Sequence, residues 1–228
     1  MDNNKPEDKP KDKPSIHWGV DSAEAADDGL YECALDNFGE PDVFGRYIGD
    51  NEDVSHGLTE KEVSFLHEKD VDILLIYNHV TDVTSKEAGN KHAEKAIELA
   101  KELDVPDGVA LFVDIEPKYP VDAAFMQGWY ETLEDSSYEP GIYGVFSEDS
   151  ELLKAFNESE ETVQENTIVW TAYPQKEITS KEEAPSFKPQ GPKDTKLYGW
   201  QYGIDAEKCT IDTNLFTEDM IDFLWKSP

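Results

Sequence analysis

From Ser15 onward the sequence predicts a single-domain α/β fold, a closed TIM-like (β/α) barrel of five strand-helix units followed by three strands. Three observations lead there. Eight short β-type runs are spread along the chain, and helical patterns with one apolar face separate the first six of them. Neither G-x-G-x-x-G nor G-x-x-x-x-G-K-S/T occurs, so no nucleotide loop supports the alternative, an open doubly wound sheet.

The elements follow in order. The first strand is 16–21, and a helix with Leu30, Cys33, Ala34 and Phe38 on one face leads to a second strand at 43–49. Thr59-Glu60-Lys61-Glu62 has the form of a capping box, in which hydroxyl and carboxylate each satisfy an amide, and it opens the helix before the third strand, 72–78. Thr84-Ser85-Lys86-Glu87 has the same form and precedes a stripe of Ala93, Ala96, Ile97, Ala100 and Leu103. The fourth strand, 109–114, is followed by a stripe through Phe125, Met126, Trp129 and Leu133; the fifth, 141–146, by Leu152, Leu153 and Phe156. These stripes are core. After the sixth strand, 167–172, the segment 174–194 holds four prolines and no helical period, and strands at 196–202 and 210–212 follow with little between them. Phe216, Ile221, Leu224 and Trp225 read as a closing helix.

Composition narrows the function. With 228 residues, 38% apolar and 11% aromatic, the chain can fill an interior without metal or disulfide. Its 51 acids against 20 bases give a formal charge of -31, which disfavours nucleic acid and anionic membrane surfaces, because both demand clustered Lys and Arg. The longest apolar runs are strand-length, well short of the ~18 residues of a membrane span. Residues 1–14 are too polar to fold and read as a disordered linker of the kind that follows a signal segment, which places the protein outside the cell or anchored in its envelope. The domain proper is then 15–228, expected to be a monomer. Cys33 and Cys209 make no C-x-x-C pair; they read either as two buried small side chains or as one long-range disulfide, which would need an oxidising compartment.

A parallel barrel carries its site at the C-terminal ends of its strands, and the polar residues expected there are acidic. Strand one ends at Asp21, strand four at Asp114 and Glu116, and strand eight at Asp212. Strand alternation sends Asp114 and Glu116 to the same side, with Cα atoms about 6.6 Å apart at ~3.3 Å per residue. Crowded carboxylates cannot all ionise, so one should keep a proton near neutral pH, and an acid beside a base is the requirement for cleaving a glycosidic bond. The spacing leaves retaining and inverting geometry open. D-x-E by itself is weak in so acidic a chain; its position at the end of an apolar strand gives it weight. Tyr143, Trp170, Tyr173, Trp200 and Tyr202 are expected around the mouth, where flat rings stack on sugar faces. The five histidines show no metal-binding spacing and there is no G-x-S-x-G elbow, so neither a zinc hydrolase nor a serine nucleophile is indicated.

Gly19-Val20-Asp21-Ser22, Val113-Asp114-Ile115-Glu116, Gly141-Ile142-Tyr143, Val169-Trp170-Thr171-Ala172-Tyr173, Trp200-Gln201-Tyr202 and Ile211-Asp212-Thr213-Asn214 resemble the successive strand motifs of the glycoside hydrolase family 25 muramidases. Phe44-Gly45-Arg46-Tyr47-Ile48-Gly49 is more closely similar to the bacterial "glycoside hydrolase-like" barrel domains related to them. The resemblance spans Trp18 to Phe216 and implies cofactor-free cleavage of peptidoglycan or a similar glycan. It implies Glu116 as general acid/base, made by its acidic neighbours the one that keeps its proton, Asp114 as its electrostatic partner, Asp21 and Asp212 completing the acidic cluster, and help from the substrate's own acetamido group. Gln201, Arg46 and Asn78 join the aromatics as expected substrate contacts. The stretch 22–29 departs from the aromatic- and Gly-containing sequence that shapes the muramidase cleft.

The reading taken is a retaining glycosidase acting on a bacterial wall glycan. Two others stand beside it: a glycan-binding barrel without turnover, motivated by the changed first loop, and a divalent-metal phosphoesterase, in which the same four carboxylates cage Mg²⁺ or Ca²⁺. The last is poorly served, since Arg46 is the sole basic residue among the pocket motifs.

Overall fold

The computed structural model describes residues 15–227; the expected linker, 1–14, lies outside the described residues. Eight strands close into a barrel in chain order: β1 (Ile16–Asp21), β2 (Val43–Tyr47), β3 (Asp72–Tyr77), β4 (Ala110–Ile115), β5 (Glu139–Gly144), β6 (Ile168–Thr171), β7 (Lys196–Gly203) and β8 (Asp212–Thr217). The helices are α1 (Asp28–Asn37), α2 (Glu60–Glu68), α3 (Lys86–Glu102), α4 (Ala123–Glu134), α5 (Glu151–Glu158), α6 (Glu161–Asn166) and the single turn α7 (Glu218–Ile221). Five strand-helix units followed by three strands is therefore the observed architecture.

β1 to β7 pair in parallel, whereas β8 is antiparallel to both neighbours. This corrects the expected eighth strand, which was to end at Asp212; the strand begins there. Because β8 runs the other way, its first residue lies at the rim where β1 ends, and Asp212 is the register partner of Asp21. The site position survives although the strand direction was misjudged.

Alternation divides each strand between two layers. Leu74, Ile76, Phe112, Ile168, Trp170 and Phe216 fill the barrel interior, while Val20, Phe44, Leu75, Leu111, Val113 and Val169 pack outward against the helices. The expected closing helix is reduced to one turn, since Phe216 belongs to β8. Met220 and Leu224 plug the barrel floor, and the last residues pair with strand edges: Ala110 N donates to Phe223 O at 2.8 Å, and Ile73 and Trp225 exchange backbone bonds at 3.0 Å.

The two caps differ. Thr59 and Glu62 form the expected capping box on α2. On α3 the cap is Ser85, whose side chain accepts from Ala88 N, because Thr84 Oγ1 is turned back onto Asp82. Cys33 on α1 and Cys209 in the β7–β8 loop form a disulfide across 176 residues, so the bridged alternative is the one realised.

Candidate active site

The four predicted carboxylates converge on one mouth. Asp21 at the end of β1 is 4% exposed and Asp114 near the end of β4 is 7% exposed; Asp212 is half-buried and Glu116, one residue past β4, is exposed. Tyr47 at the end of β2 reports the convergence. Its phenol is pushed up first by burial and then by the fields of Asp114, Asp21, Asp212 and Glu116, all of which reach one hydroxyl. A cleft of about 490 Å³ opens over this group, lined by Asp21, Tyr47, Asp212 and the β7–β8 loop. A second, of about 310 Å³, runs past Glu116, Tyr119 and Ser147.

Each carboxylate is held differently. Asp21 Oδ2 accepts from Asn214 Nδ2 at 2.7 Å and from Gln201 Nε2 at 3.0 Å. Trp170 Nε1, a donor only, points at Asn214 Oδ1 at 3.0 Å, which fixes the Asn214 amide with its nitrogen toward Asp21. Burial raises Asp21, and these two amides and the charge of Arg46 pull the other way. Gln201 Nε2 also lies 3.1 Å from Asp212 Oδ2, and its Oε1 accepts from the Tyr143 hydroxyl at 2.6 Å. Asp212 is raised to about 8, chiefly by burial and next by Asp21, although the Asp205 amide donates to its Oδ1 at 2.8 Å.

Asp114 is also raised to about 8, by burial first and then by Glu116 and Asp21. Its Oδ1 is enclosed without a hydrogen-bond partner among the described residues. The sequence reading assigned the retained proton to Glu116; burial belongs instead to Asp114, because Asp114 lies within β4 facing the interior while Glu116 stands beyond the strand end. A buried acid and an exposed one thus stand two residues apart at the end of β4.

Several expected contacts are placed elsewhere. Arg46 is fully buried on the outward face of β2, and its guanidinium is consumed by Glu62 Oε1 at 3.0 Å, Ser22 O at 2.6 Å and His56 O at 2.9 Å. It holds the β1 loop against α2. Trp200 and Tyr202 also face outward, Trp200 Nε1 donating to Pro174 O and Tyr202 accepting from Trp18 Nε1. Trp170 points inward but is 1% exposed, packed edge-on against Phe112 below the mouth. Tyr173 follows β6, half-buried. Asn78, just past β3, is buried and donates to Ser55 Oγ at 3.0 Å. Tyr143 and Gln201 are the expected contacts that reach the carboxylates.

Tyr47 and Asn214 were missed as site residues. Alternation could have found Tyr47: in Phe44-Gly45-Arg46-Tyr47-Ile48, Arg46 shares a face with apolar Phe44 and Ile48, which leaves Tyr47 facing in beside Gly45. The glycine is required there, because a Cβ at 45 would lie 2.7 Å from that of Asp21. Among the described residues no three His, Cys, Asp or Glu side chains are arranged to hold a metal ion.

Similar structures share the barrel. An uncharacterized protein from B. stearothermophilus superposes with a TM-score of 0.89 at 34% identity, over 92% of this chain and 100% of that one. The Mycobacterium tuberculosis Tat-secreted protein Rv2525c, in complex with L-tartrate, gives 0.62 at 12% identity over 92% and 100%. The Clostridium perfringens spore cortex lytic enzyme SleM gives 0.60 at 12% identity, over 94% of this chain and 71% of the enzyme. Among curated proteins none matches this chain. The model of the Rv2525c-like, glycoside hydrolase-like domain matches residues 41–212, well over half of the chain, and the chain belongs to that family.

Proposed function

We propose that the protein is a muramidase-like glycosidase that hydrolyses a peptidoglycan-like wall glycan with retention of configuration. The observation that carries this is the pairing at one strand end of an exposed carboxylate, Glu116, with a buried one raised to about 8, Asp114, the fields of both reaching Tyr47 together with those of Asp21 and Asp212. That SleM, with the same barrel, is named for lysis of spore cortex supports the substrate class.

In this reading the carbonyl oxygen of the substrate's acetamido group attacks C1 while the C1–O bond to the leaving sugar breaks, and Glu116 gives its proton to the departing oxygen. Water then attacks C1, Glu116 takes a proton from it, and the acetamido group is restored. Asp114 Oδ1, enclosed and without a partner among the described residues, accepts the acetamido N–H as positive charge builds on that nitrogen, with Asp21 and Asp212 beside the ring. The Cys33–Cys209 bridge and the Tat-secreted neighbour support a site of action outside the cell or at its envelope.

Digestion of a panel of purified walls, with products read by mass and the first-formed anomer by NMR, tests the reading. New reducing ends of β configuration from a β-linked glycan are expected. Glycan retention without any release over long incubation would favour the binding-domain reading, which the tying of both Asp21 and Asp212 to Gln201 makes specific.

A further inference from the structure

Two enclosed side-chain oxygens at adjacent strand ends lack a hydrogen-bond partner among the described residues, Asn78 Oδ1 and Asp114 Oδ1. Both residues are more than nine-tenths buried. An orphaned acceptor so placed is costly, and two side by side point to a shared donor.

The strands set them side by side. β3 and β4 pair in parallel with Tyr77 opposite Val113, so Asn78 and Asp114 come next on neighbouring chains, about 4.8 Å apart across the pairing. Ile76 and Phe112 face the barrel interior while Tyr77 and Val113 pack outward, so alternation turns Asn78 and Asp114 inward together. The titratable groups facing Asp114 are Asp21 of β1, Tyr47 of β2, Tyr143 of β5 and, beyond its own strand, Glu116 and Lys118, with Asp212 of β8 acting on the same Tyr47. None of them gives Asp114 Oδ1 a hydrogen bond.

Asn78 suits both charge states of its neighbour. Its Nδ2 donates to Ser55 Oγ at 3.0 Å, which leaves Oδ1 as the free end. A proton on Asp114 Oδ1, directed at Asn78 Oδ1, satisfies both orphans at once, and burial of Asp114, raised to about 8, keeps that proton in place near neutral pH. An ionised Asp114 would instead face an acceptor. A hydroxyl both accepts and donates, however, so the Asn78 amide turned end for end takes the Ser55 proton on Oδ1 and gives Nδ2–H to the carboxylate. The backbone stays still meanwhile: Asn51 Nδ2 donates to Asn78 O at 3.0 Å, and Asn51 and Ser55 exchange backbone bonds at 3.0 Å.

We propose that Asn78 is the positioning residue for Asp114, accepting the carboxyl proton in the resting protein and, pivoting on Ser55, donating to the carboxylate once that proton has left for solvent. In the second state Asp114 Oδ1 is free to take the acetamido N–H. That catalytic use, though not the pairing itself, rests on the glycosidase reading.

The test is NMR of the whole protein with labelled aspartate carboxyl carbons and asparagine side-chain nitrogens, titrated from about pH 5 to about pH 10. The Asn78 amide signal is expected to shift with the midpoint of Asp114 and to stop doing so in Asp114→Asn. A bond to a charged acceptor is stronger than one to a neutral group, so Asn78→Leu should lower the acid dissociation constant of Asp114 about tenfold. An Asn78 signal indifferent to the Asp114 titration overturns the proposal, and so does an Asp114 midpoint that is unmoved or lowered in Asn78→Leu. Should Asn78→Leu fail to fold, the amide signal of the native protein decides alone. Wall digestion is scored separately. Where walls are cleaved, the ascending limb of kcat/KM should move to higher pH in Asn78→Leu, and an unmoved limb defeats the catalytic use. Failure to cleave any wall defeats the glycosidase reading and leaves the pairing to be decided by the spectra.

Discussion

Asn214 holds Asp21 in place: its amide nitrogen lies 2.7 Å from Oδ2, on a side chain whose orientation is dictated by the indole of Trp170 at 3.0 Å. A buried tryptophan below the mouth is thereby linked through one amide to a carboxylate at the mouth. Core packing and site geometry are the same set of contacts here.

Replacing Asn214 by Ala leaves the Trp170 N–H without an acceptor and Asp21 with one amide donor. The loss should be about 1–3 kcal/mol in urea unfolding. Because Asn214 pulls Asp21 down toward ionisation, the ascending limb of kcat/KM should move to higher pH in the variant. An unmoved limb with reduced stability would make Asn214 a packing residue only.

Gly45→Ala should push Asp21 off its position, since the added Cβ would lie 2.7 Å from that of Asp21 and 3.4 Å from Ile76 Cδ1. Overpacking of this kind costs about 1–3 kcal/mol. Activity on walls should fall by at least tenfold, more than the stability change accounts for at a temperature where the variant remains folded. Wild-type kcat/KM in folded Gly45→Ala would show that the Asp21 position is not critical.

The pH dependence of stability has a definite sign. Asp114 is raised to about 8 from an ordinary 3.8, so the native state binds its proton more tightly than the unfolded chain. The associated stability is fully present below about pH 4 and is lost as pH rises toward 8. Asp114→Asn keeps the shape without the titration. Its melting temperature should therefore match wild type near pH 4 and exceed it near pH 9; parallel melting curves across that range would contradict the burial of an ionisable group there.

Reduction of the Cys33–Cys209 bridge, or its removal by paired Cys→Ser substitution, should lower stability by about 2–5 kcal/mol, because the bond closes a loop of most of the chain. It also releases the β7–β8 loop that carries Asp205, whose amide holds Asp212. Urea titrations with and without reductant measure the first effect. Lower activity on walls by the reduced protein, at a temperature where it stays folded, would measure the second.

What could be read from the chain, and what could not, follows from how local each signal is. Apolar alternation in 43–48 and 109–115 marks strands because burial on both faces forces it, and Thr59 with Glu62 marks a helix start because the amides there lack partners. The direction of β8 left no such mark: Asp212 looks like a strand end whether the strand arrives or departs, and the barrel places it opposite Asp21 either way. Arg46, Trp200 and Tyr202 were assigned to the mouth on residue type, although the alternation that identified their strands also turns them outward. That Asp114 is the carboxylate enclosed by the barrel, and Glu116 the exposed one, depends on the depth of each side chain, which strand alternation alone does not give. Tyr47 went unnoticed beside a more conspicuous arginine.

In the proposed mechanism Glu116, exposed two residues beyond buried Asp114, transfers the proton that breaks a glycosidic bond. Release of reducing ends from a susceptible wall, measured for the native protein and for Glu116→Gln at matched melting temperature, tests it most directly. A loss of activity of at least a hundredfold with stability unchanged is expected, as general acid/base removal gives. Glu116→Gln cleaving the same wall at the native rate would contradict it.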